Sequence, residues 1–93
     1  MYTILRKKSY VKCVQKLAQQ KHLDIDALDM VIELLKNNTK LPAKHNDHQL
    51  KGKLVAYREC HVKHDLLLRY FKDERVLVLV LVELSTHQQM FGE

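Results

Sequence analysis

Hydrophobic and polar positions follow two different spacings along the chain, and the change falls near its middle. Between Ser9 and Leu35, apolar residues recur at intervals of three and four, which is the period of one face of an α-helix. Ser9 and Asp24 each precede such a run and carry the side-chain oxygen that an N-cap needs. The spacing therefore predicts two helices, with apolar stripes at Tyr10, Val14 and Leu17, then at Ile25, Leu28, Ile32 and Leu35.

Beyond Gly52 the spacing is that of β-strands. After a first strand at Tyr2–Leu5, the expected strands are Leu54–Val62, Leu66–Phe71 and Val76–Val82. The links between the last three strands are short, which implies antiparallel neighbours. Val76–Val82 is apolar on both sides, so we expect it to lie centrally in the sheet. Residues 43–52 show no period and are expected to form a loop.

Helices followed by strands predict an α+β fold, with two N-terminal helices packed on one face of a small antiparallel sheet. Because a chain of this length buries only about 60–65% of its unfolded surface, we expect one domain over residues 1–93. Two helices cover only one face of such a sheet. The other apolar side of the last strand therefore needs a partner, either the C-terminal segment or another chain.

Composition and cysteine content exclude several classes of protein. With 46% hydrophobic and 29% charged residues, the chain is typical of a folded domain rather than a disordered one. Cys13 and Cys60 are too few for a disulfide scaffold. The N-terminus lacks the apolar segment of a signal peptide, and the longest apolar run is too short to cross a membrane. We therefore expect a cytoplasmic protein with reduced thiols and no membrane contact.

Positive charge is unevenly distributed along the chain, whose formal net charge is +5. Residues 36–53 contain five lysines and two histidines against the single acidic residue Asp47. Blocks of charge are most often solvated faces of the fold. This block is nevertheless where we expect contact with a polyanion.

The histidines are the main candidates for chemistry, and five of the six lie at or beyond position 45. Strand alternation puts His61 on one face with Glu59, and Asp65 follows across a tight turn. His48 and His87 could converge on that end of the sheet. Imidazoles beside a carboxylate and cations form a metal-free acid–base apparatus, which RNA cleavage through its own 2′-OH requires. The alternative is that these are ordinary surface histidines.

A zinc site is the competing interpretation of the same residues. His45-x-x-His48, Cys60-His61 and His61-x-x-His64 resemble ligand pairs. However, adjacent Cys60 and His61 point to opposite faces of a strand, and the loop pair has no second matching pair. We therefore expect no metal and no cofactor, and we interpret Cys60 as a core residue.

Three motifs follow one another in the second half of the chain. They are Asp47-His48-Gln49-Leu50-Lys51-Gly52, then Tyr57-Arg58-Glu59-Cys60-His61 with Asp65, and finally His87-Gln88-Gln89-Met90-Phe91. In these motifs the chain resembles the YafQ branch of the RelE toxins, which are ribosome-dependent mRNA interferases of bacterial type II toxin–antitoxin modules. The resemblance implies a RelE/ParE-like fold and an endoribonuclease. It implies attack of the 2′-OH on the adjacent phosphate, leaving a 2′,3′-cyclic phosphate and a 5′-OH.

The family's catalytic positions correspond to His48, His61, Asp65, His87 and Phe91. The resemblance implies that His87 is the general acid and that His48 or His61 is the general base. It also implies an orienting role for Asp65 and packing of Phe91 on a nucleobase.

Contact with phosphate or ribosomal RNA is expected at Lys44, Lys51, Lys53 and Arg58. For Arg58, a structural ion pair is the alternative.

The resemblance also implies partners, namely a small antitoxin with an acidic tail, mRNA and the ribosome. An unpaired apolar sheet face and a basic surface suit such partners. The rival is a non-catalytic or ParE-like protein-binding toxin of the same fold, which does not need the His and Asp set.

Two departures from the relatives alter the expected site. His64-Asp65-Leu66 stands where relatives usually have Pro-Asp-Trp, and Glu83-Leu84-Ser85 stands where they usually have Arg-Thr-Gly. A glutamate that faces a phosphate disfavours the transition state, so we expect altered catalytic strength or codon preference. The remaining histidines, His22, His45 and His64, are expected at the surface.

Overall fold

The computed structural model describes residues 1–86, in which two helices pack on a five-stranded sheet. The elements are β1 (Thr3–Arg6), α1 (Lys8–Gln19), α2 (Ile25–Lys36), β2 (His48–Gln49), β3 (Arg58–Lys63), β4 (Leu66–Asp73) and β5 (Val78–Thr86). The strand order is β1-β5-β4-β3-β2, and all neighbours are antiparallel except β1 and β5. The predicted α+β class is confirmed. The sheet is mixed because β1 enters beside β5 in parallel.

The two helix starts differ from each other. Asp24 caps α2 as predicted, with its Oδ1 accepting the Ala27 N–H at 3.0 Å. The prediction that Ser9 caps α1 was wrong, because the N-cap is Lys7, two residues earlier, and α1 begins at Lys8. The Ser9 hydroxyl instead donates to the carbonyl of Val82 at 2.5 Å. That serine therefore ties the first turn of α1 to β5.

Both helices bury their apolar stripes on the same face of the sheet. The buried helix residues are Tyr10 and Leu17 from α1, and Leu28, Val31, Ile32 and Leu35 from α2. Val14 is half-buried against them. Ile25 was predicted in the stripe but is 53% exposed, because the first turn of α2 borders an open groove beside Lys21 and His22.

Of the three strands predicted after Gly52, two begin later than predicted. The strand expected from Leu54 begins at Arg58, because Gly52–Leu54 form a 3-10 turn that Gly52 enters with φ of 66°. The strand expected from Val76 begins at Val78, because Leu77 has the left-handed φ of 54° and ends the preceding turn. The segment 43–52, expected as loop, also contains a 3-10 turn at Ala43–His45 and the short strand β2.

The last strand has the interior position predicted for it, between β1 and β4. Its Leu79 and Leu81 are fully buried against the helices. On the opposite face of the sheet, Leu67 and Val80 are buried as well. Residues 87–93, which include the C-terminal segment expected against that face, lie outside the described residues. Neither α1 nor α2 is long and apolar enough to span a membrane.

Candidate active site

The sheet face turned away from the helices, which we call the far face, carries two of the five residues predicted to be catalytic. Cys60 and Val62 of β3 belong to the core under the helices, so the alternating residues Glu59 and His61 lie on the far face. His48 pairs with Glu59 across the β2–β3 ladder and therefore shares that face. The structure thus brings two of the predicted catalytic histidines onto one surface, on neighbouring strands.

His48 is held by a backbone contact of its own loop. Its Nδ1 lies 2.6 Å from the carbonyl of Asn46, which can only accept, so Nδ1 carries a proton and donates it. Asn46 has the left-handed φ of 44°, a conformation that asparagine tolerates better than most residues. Nε2 of His48 is then the ring atom that can take up or release a second proton. It lies 4.0 Å from Oε1 of Glu59.

Asp47 fixes the other side of this loop. Its Oδ1 accepts a 2.6 Å hydrogen bond from the buried Tyr70 hydroxyl, and its Oδ2 lies 3.3 Å from Nη2 of Arg58. Burial raises the pKa of Tyr70, and the bond to Asp47 raises it further. Burial alone lowers the pKa of Arg58, but its contacts with Tyr70 and Asp47 outweigh this and raise it.

The sequence motif predicted no role for Asp47. The signal that could have found it is its place beside His48 in an otherwise basic stretch, where a lone carboxylate needs a partner.

His61 is half-buried and its backbone is pinned from outside the sheet. The Nδ1–H of His45 donates to the His61 carbonyl at 2.6 Å, on the part of β3 that β2 does not reach. The prediction that His45 lies at the surface was wrong, since it is 6% exposed. His22 and His64 are exposed as predicted. The 3-10 turn at Ala43–His45 thereby fastens the loop before His48 to the strand that carries His61.

Asp65 lies in the two-residue turn between β3 and β4, four residues after His61 along the chain. Its side chain is exposed. Thr86, the last residue of β5, pairs with Leu66 directly after this turn. The other two predicted catalytic residues, His87 and Phe91, lie outside the described residues.

A row of alternating charges crosses the far face from strand to strand. Glu59, Arg69 and Glu83 are partners in register on β3, β4 and β5. Nη2 of Arg69 lies 3.7 Å from Oε2 of Glu59, and its Nη1 lies 3.5 Å from Oε1 of Glu83. The glutamate that departs from the relatives is therefore ion-paired with an arginine. Sequence reasoning missed Arg69, although it is the one charged residue within the apolar run Leu66–Phe71.

The residues predicted to contact RNA fall into two groups. Lys44, Lys51 and Lys53 are exposed in the segments that flank β2. Arg58 instead lies on the helix side of β3 and pairs with Asp47, which is the structural alternative left open by the sequence.

The ring nitrogens of the proposed zinc pairs have other contacts. Nδ1 of both His45 and His48 donates to a backbone carbonyl. Cys60 is fully buried, and burial raises the pKa of its thiol to about 12, with Asp47 and Glu59 adding to the effect. Within residues 1–86, no three His, Cys, Asp or Glu side chains are grouped so that they could hold a metal ion.

Comparisons with known proteins match this chain over nearly its full length. A family model for the bacterial toxin of type II toxin–antitoxin systems, YafQ, matches residues 2–92. The mRNA interferase toxin YafQ of Escherichia coli K12 is 40% identical over 78 residues, which is 83% of each chain.

Solved structures give the same result for the fold. A metal-bound toxin from Helicobacter pylori has a TM-score of 0.87 and 37% identity, covering 98% of this chain and 100% of that one. A chain of the E. coli DinJ–YafQ complex has a TM-score of 0.84 and 34% identity, covering 99% and 100%. The likeness therefore holds in sequence and in fold alike.

Proposed function

The chain belongs to the YafQ family of bacterial type II toxins and is an mRNA interferase, and we propose that it cleaves translated mRNA on the ribosome by metal-free acid–base chemistry. The motif resemblance predicted from the sequence is thereby confirmed at the level of the family. The observation that carries the mechanism is the placement of His48 and His61 on one face of the sheet. We place the whole activity in a single domain, residues 1–93.

In the proposed reaction, the 2′-oxygen of one nucleotide attacks the adjacent phosphorus while the bond from phosphorus to the 5′-oxygen breaks. A histidine removes the proton of the 2′-OH, and a second histidine supplies a proton to the leaving 5′-oxygen. The products are a 2′,3′-cyclic phosphate and a 5′-OH. His87 is the proposed acid, Asp65 the orienting carboxylate, and Phe91 the side chain that packs on a base.

Of the two candidate bases, we favour His48. Its Nδ1 proton is committed to the Asn46 carbonyl, so the neutral ring presents an unprotonated Nε2. Nε2 is the atom that a 2′-OH proton would reach, because Nδ1 faces the protein. His61, half-buried beside it on the far face, would then contact the phosphate or the leaving oxygen.

We propose that the substrate is bound by electrostatic attraction to basic side chains rather than in a deep pocket. Lys44, Lys51 and Lys53 are exposed around β2, the strand that carries His48. Lysines of this kind contact phosphates of RNA without reading its sequence. The ribosome would align the codon, and these lysines would hold the toxin against it.

A cognate antitoxin is the proposed protein partner, and the cytoplasm the proposed compartment. The E. coli relative has been solved as a DinJ–YafQ complex, and the chain seen there is 34% identical to this one. The basic surface of this chain suits an acidic segment of such a partner, which would compete with RNA for the same lysines.

The proposal is tested by inducing the chain in a bacterium and mapping mRNA ends by primer extension. Wild type should produce new 5′-OH ends within translated regions, and the same transcript without a start codon should stay intact. His48→Ala and His87→Ala should each lower cleavage by about 10²–10⁴-fold, the usual cost of losing a general acid or base. His22→Ala, which removes an exposed histidine without a proposed role, is the matched control.

Intact transcripts during growth arrest would refute the nuclease and favour a protein-binding toxin of the same fold. Unchanged cleavage by His87→Ala would refute the assignment of the acid. Ends that carry a 5′-phosphate would refute transphosphorylation.

A further inference from the structure

Arg69 differs from the other basic residues of the strands in the face of the sheet on which its side chain lies. Among the strand residues within 1–86, it is the only lysine or arginine whose side chain lies on that face. Its side chain is 18% exposed, so most of the guanidinium is withdrawn from water. A charge in such a place needs fixed partners, and Arg69 has carboxylates on both sides.

The partners of Arg69 are determined by the register of the strands rather than by the flexibility of its side chain. Glu59 stands directly opposite on β3 and Glu83 directly opposite on β5. The planar guanidinium can present separate N–H groups to two carboxylates at once, which a lysine ammonium does poorly. Glu59 is the more buried of the two, with a side chain 12% exposed against 39% for Glu83.

Glu59 in turn faces the candidate base. Its Oε2 is the atom nearest to Arg69, whereas its Oε1 is the atom nearest to His48, 4.0 Å from Nε2. One carboxylate therefore spans the distance between the arginine and the imidazole. Oε1 of Glu59 thus faces His48 while Oε2 faces Arg69.

We propose that Arg69 is a positioning residue for RNA cleavage: it holds Glu59 in the orientation that faces His48, and it neutralises Glu83 on the surface that receives the phosphate. The inference rests on the proposed function and adds a residue to it. With Arg69 in place, the row Glu59–Arg69–Glu83 has a formal charge of −1, and without it −2, on a face that must accept a phosphodiester anion. Loss of Arg69 therefore disturbs both the base and the binding of substrate.

The test compares Arg69→Met, which keeps an apolar stem but no charge, with Arg69→Lys and with Arg75→Met. Arg75 is the matched control, because its guanidinium also pairs with a carboxylate, Asp73, but is 89% exposed in the turn after β4. Arg69→Lys keeps the positive charge but loses the simultaneous contact with both carboxylates. It therefore controls for a loss of cleavage that is due to unfolding alone. Antitoxin binding and thermal unfolding show whether each variant is folded.

Two readouts separate positioning from mere support of the fold. Arg69→Met should lower ribosome-dependent cleavage by up to about 10²-fold, the cost of a misplaced group, and Arg69→Lys by less. In a His48→Ala background, Arg69→Met should cost at most a few-fold more, because the group that it positions is gone. Arg75→Met should leave cleavage unchanged in both backgrounds.

The second readout needs no activity. NMR should show contacts between the His48 ring and the Glu59 methylene protons in wild type and Arg75→Met, and their loss in Arg69→Met. Persistence of these contacts in Arg69→Met, or equal losses of cleavage with and without His48, would overturn the positioning role. Absence of cleavage by wild type would instead refute the nuclease proposal, which the NMR arm does not depend on.

Discussion

The hydroxyl of Tyr70 donates a 2.6 Å hydrogen bond to Oδ1 of Asp47, the residue directly before His48. Tyr70 is buried in the middle strand of the sheet. The end of a surface loop is thereby attached to the core at the position next to the candidate base. Arg58 holds the same carboxylate through its other oxygen.

Removing this attachment should lower the free energy of unfolding. The loss should be larger where a buried polar group is left without its hydrogen-bond partner. Tyr70→Phe deletes one hydrogen bond and should cost about 1 kcal/mol of unfolding free energy. Asp47→Ala leaves the buried hydroxyl without its acceptor and should cost about 2–3 kcal/mol. Urea unfolding followed by circular dichroism measures both losses.

The double variant shows whether the two effects belong to one contact. In the Asp47→Ala background, Tyr70→Phe should cost clearly less than in wild type, because the hydroxyl has then already lost its acceptor and keeps only its contact with Arg58. Fully additive losses would contradict the contact. Cleavage should fall in Asp47→Ala even at temperatures where the variant is fully folded, since the loop that holds His48 is released.

Asp24 makes the stability of the protein depend on pH. Its carboxylate lies 2.7 Å from Nζ of Lys63 and accepts the Ala27 N–H, and these contacts lower the pKa of Asp24, that with Lys63 most. A carboxylate with a lowered pKa stabilises the folded state above its unfolded pKa of about 3.9, and this stabilisation is lost as pH falls through the folded pKa. Asp24→Asn keeps an N-cap oxygen but removes the charge.

Asp24→Asn should therefore unfold more readily than wild type at pH 7, and the difference should shrink below about pH 4. Asp29→Asn, which removes an exposed charge from the middle of α2, is the control and should show a smaller difference at pH 7. A gap between Asp24→Asn and wild type that stays constant from pH 7 to pH 3 would contradict the ion pair.

Much of the fold could be predicted from the sequence, because the helices and strands are specified by local periods. The stripe of α2 and its Asp24 cap depend on neighbours within four residues, and both were found. The Ser9 error is of another kind: its hydroxyl reaches Val82, 73 positions away, which no local pattern can reveal. The late start of β5 depends on the left-handed backbone of Leu77, a residue that rarely adopts it.

The candidate site was predictable only in part for the same reason. His48 and His61 could be named from motifs, and strand alternation gave the face of His61. The ion pairs of Arg69 with Glu59 and Glu83 could not be predicted from the sequence, because they depend on the register between three strands. His45 was assigned to the surface because no role was predicted for it, whereas its ring is buried and donates to a strand carbonyl.

Cys60 should resist alkylation in the folded protein. Burial raises the pKa of its thiol to about 12, so almost no thiolate is present at pH 8, and the side chain is fully buried. Mass spectrometry after iodoacetamide treatment should find Cys13, which is half-buried, labelled well before Cys60. In urea both should react at similar rates. Rapid native labelling of Cys60 in a Cys13→Ser variant would contradict its place in the core.

The salt dependence of ribosome binding should report on the lysines around β2. Replacing Lys44, Lys51 and Lys53 by alanine removes up to three phosphate contacts, which should reduce the slope of log affinity against log salt by about 2. Lys8, Lys12 and Lys16, replaced together on α1, give a variant of the same net charge. If both triple variants lose equal slope in a binding titration from 50 to 200 mM salt, the contact is general charge rather than this surface. A loss confined to the first variant places RNA beside β2, within reach of His48.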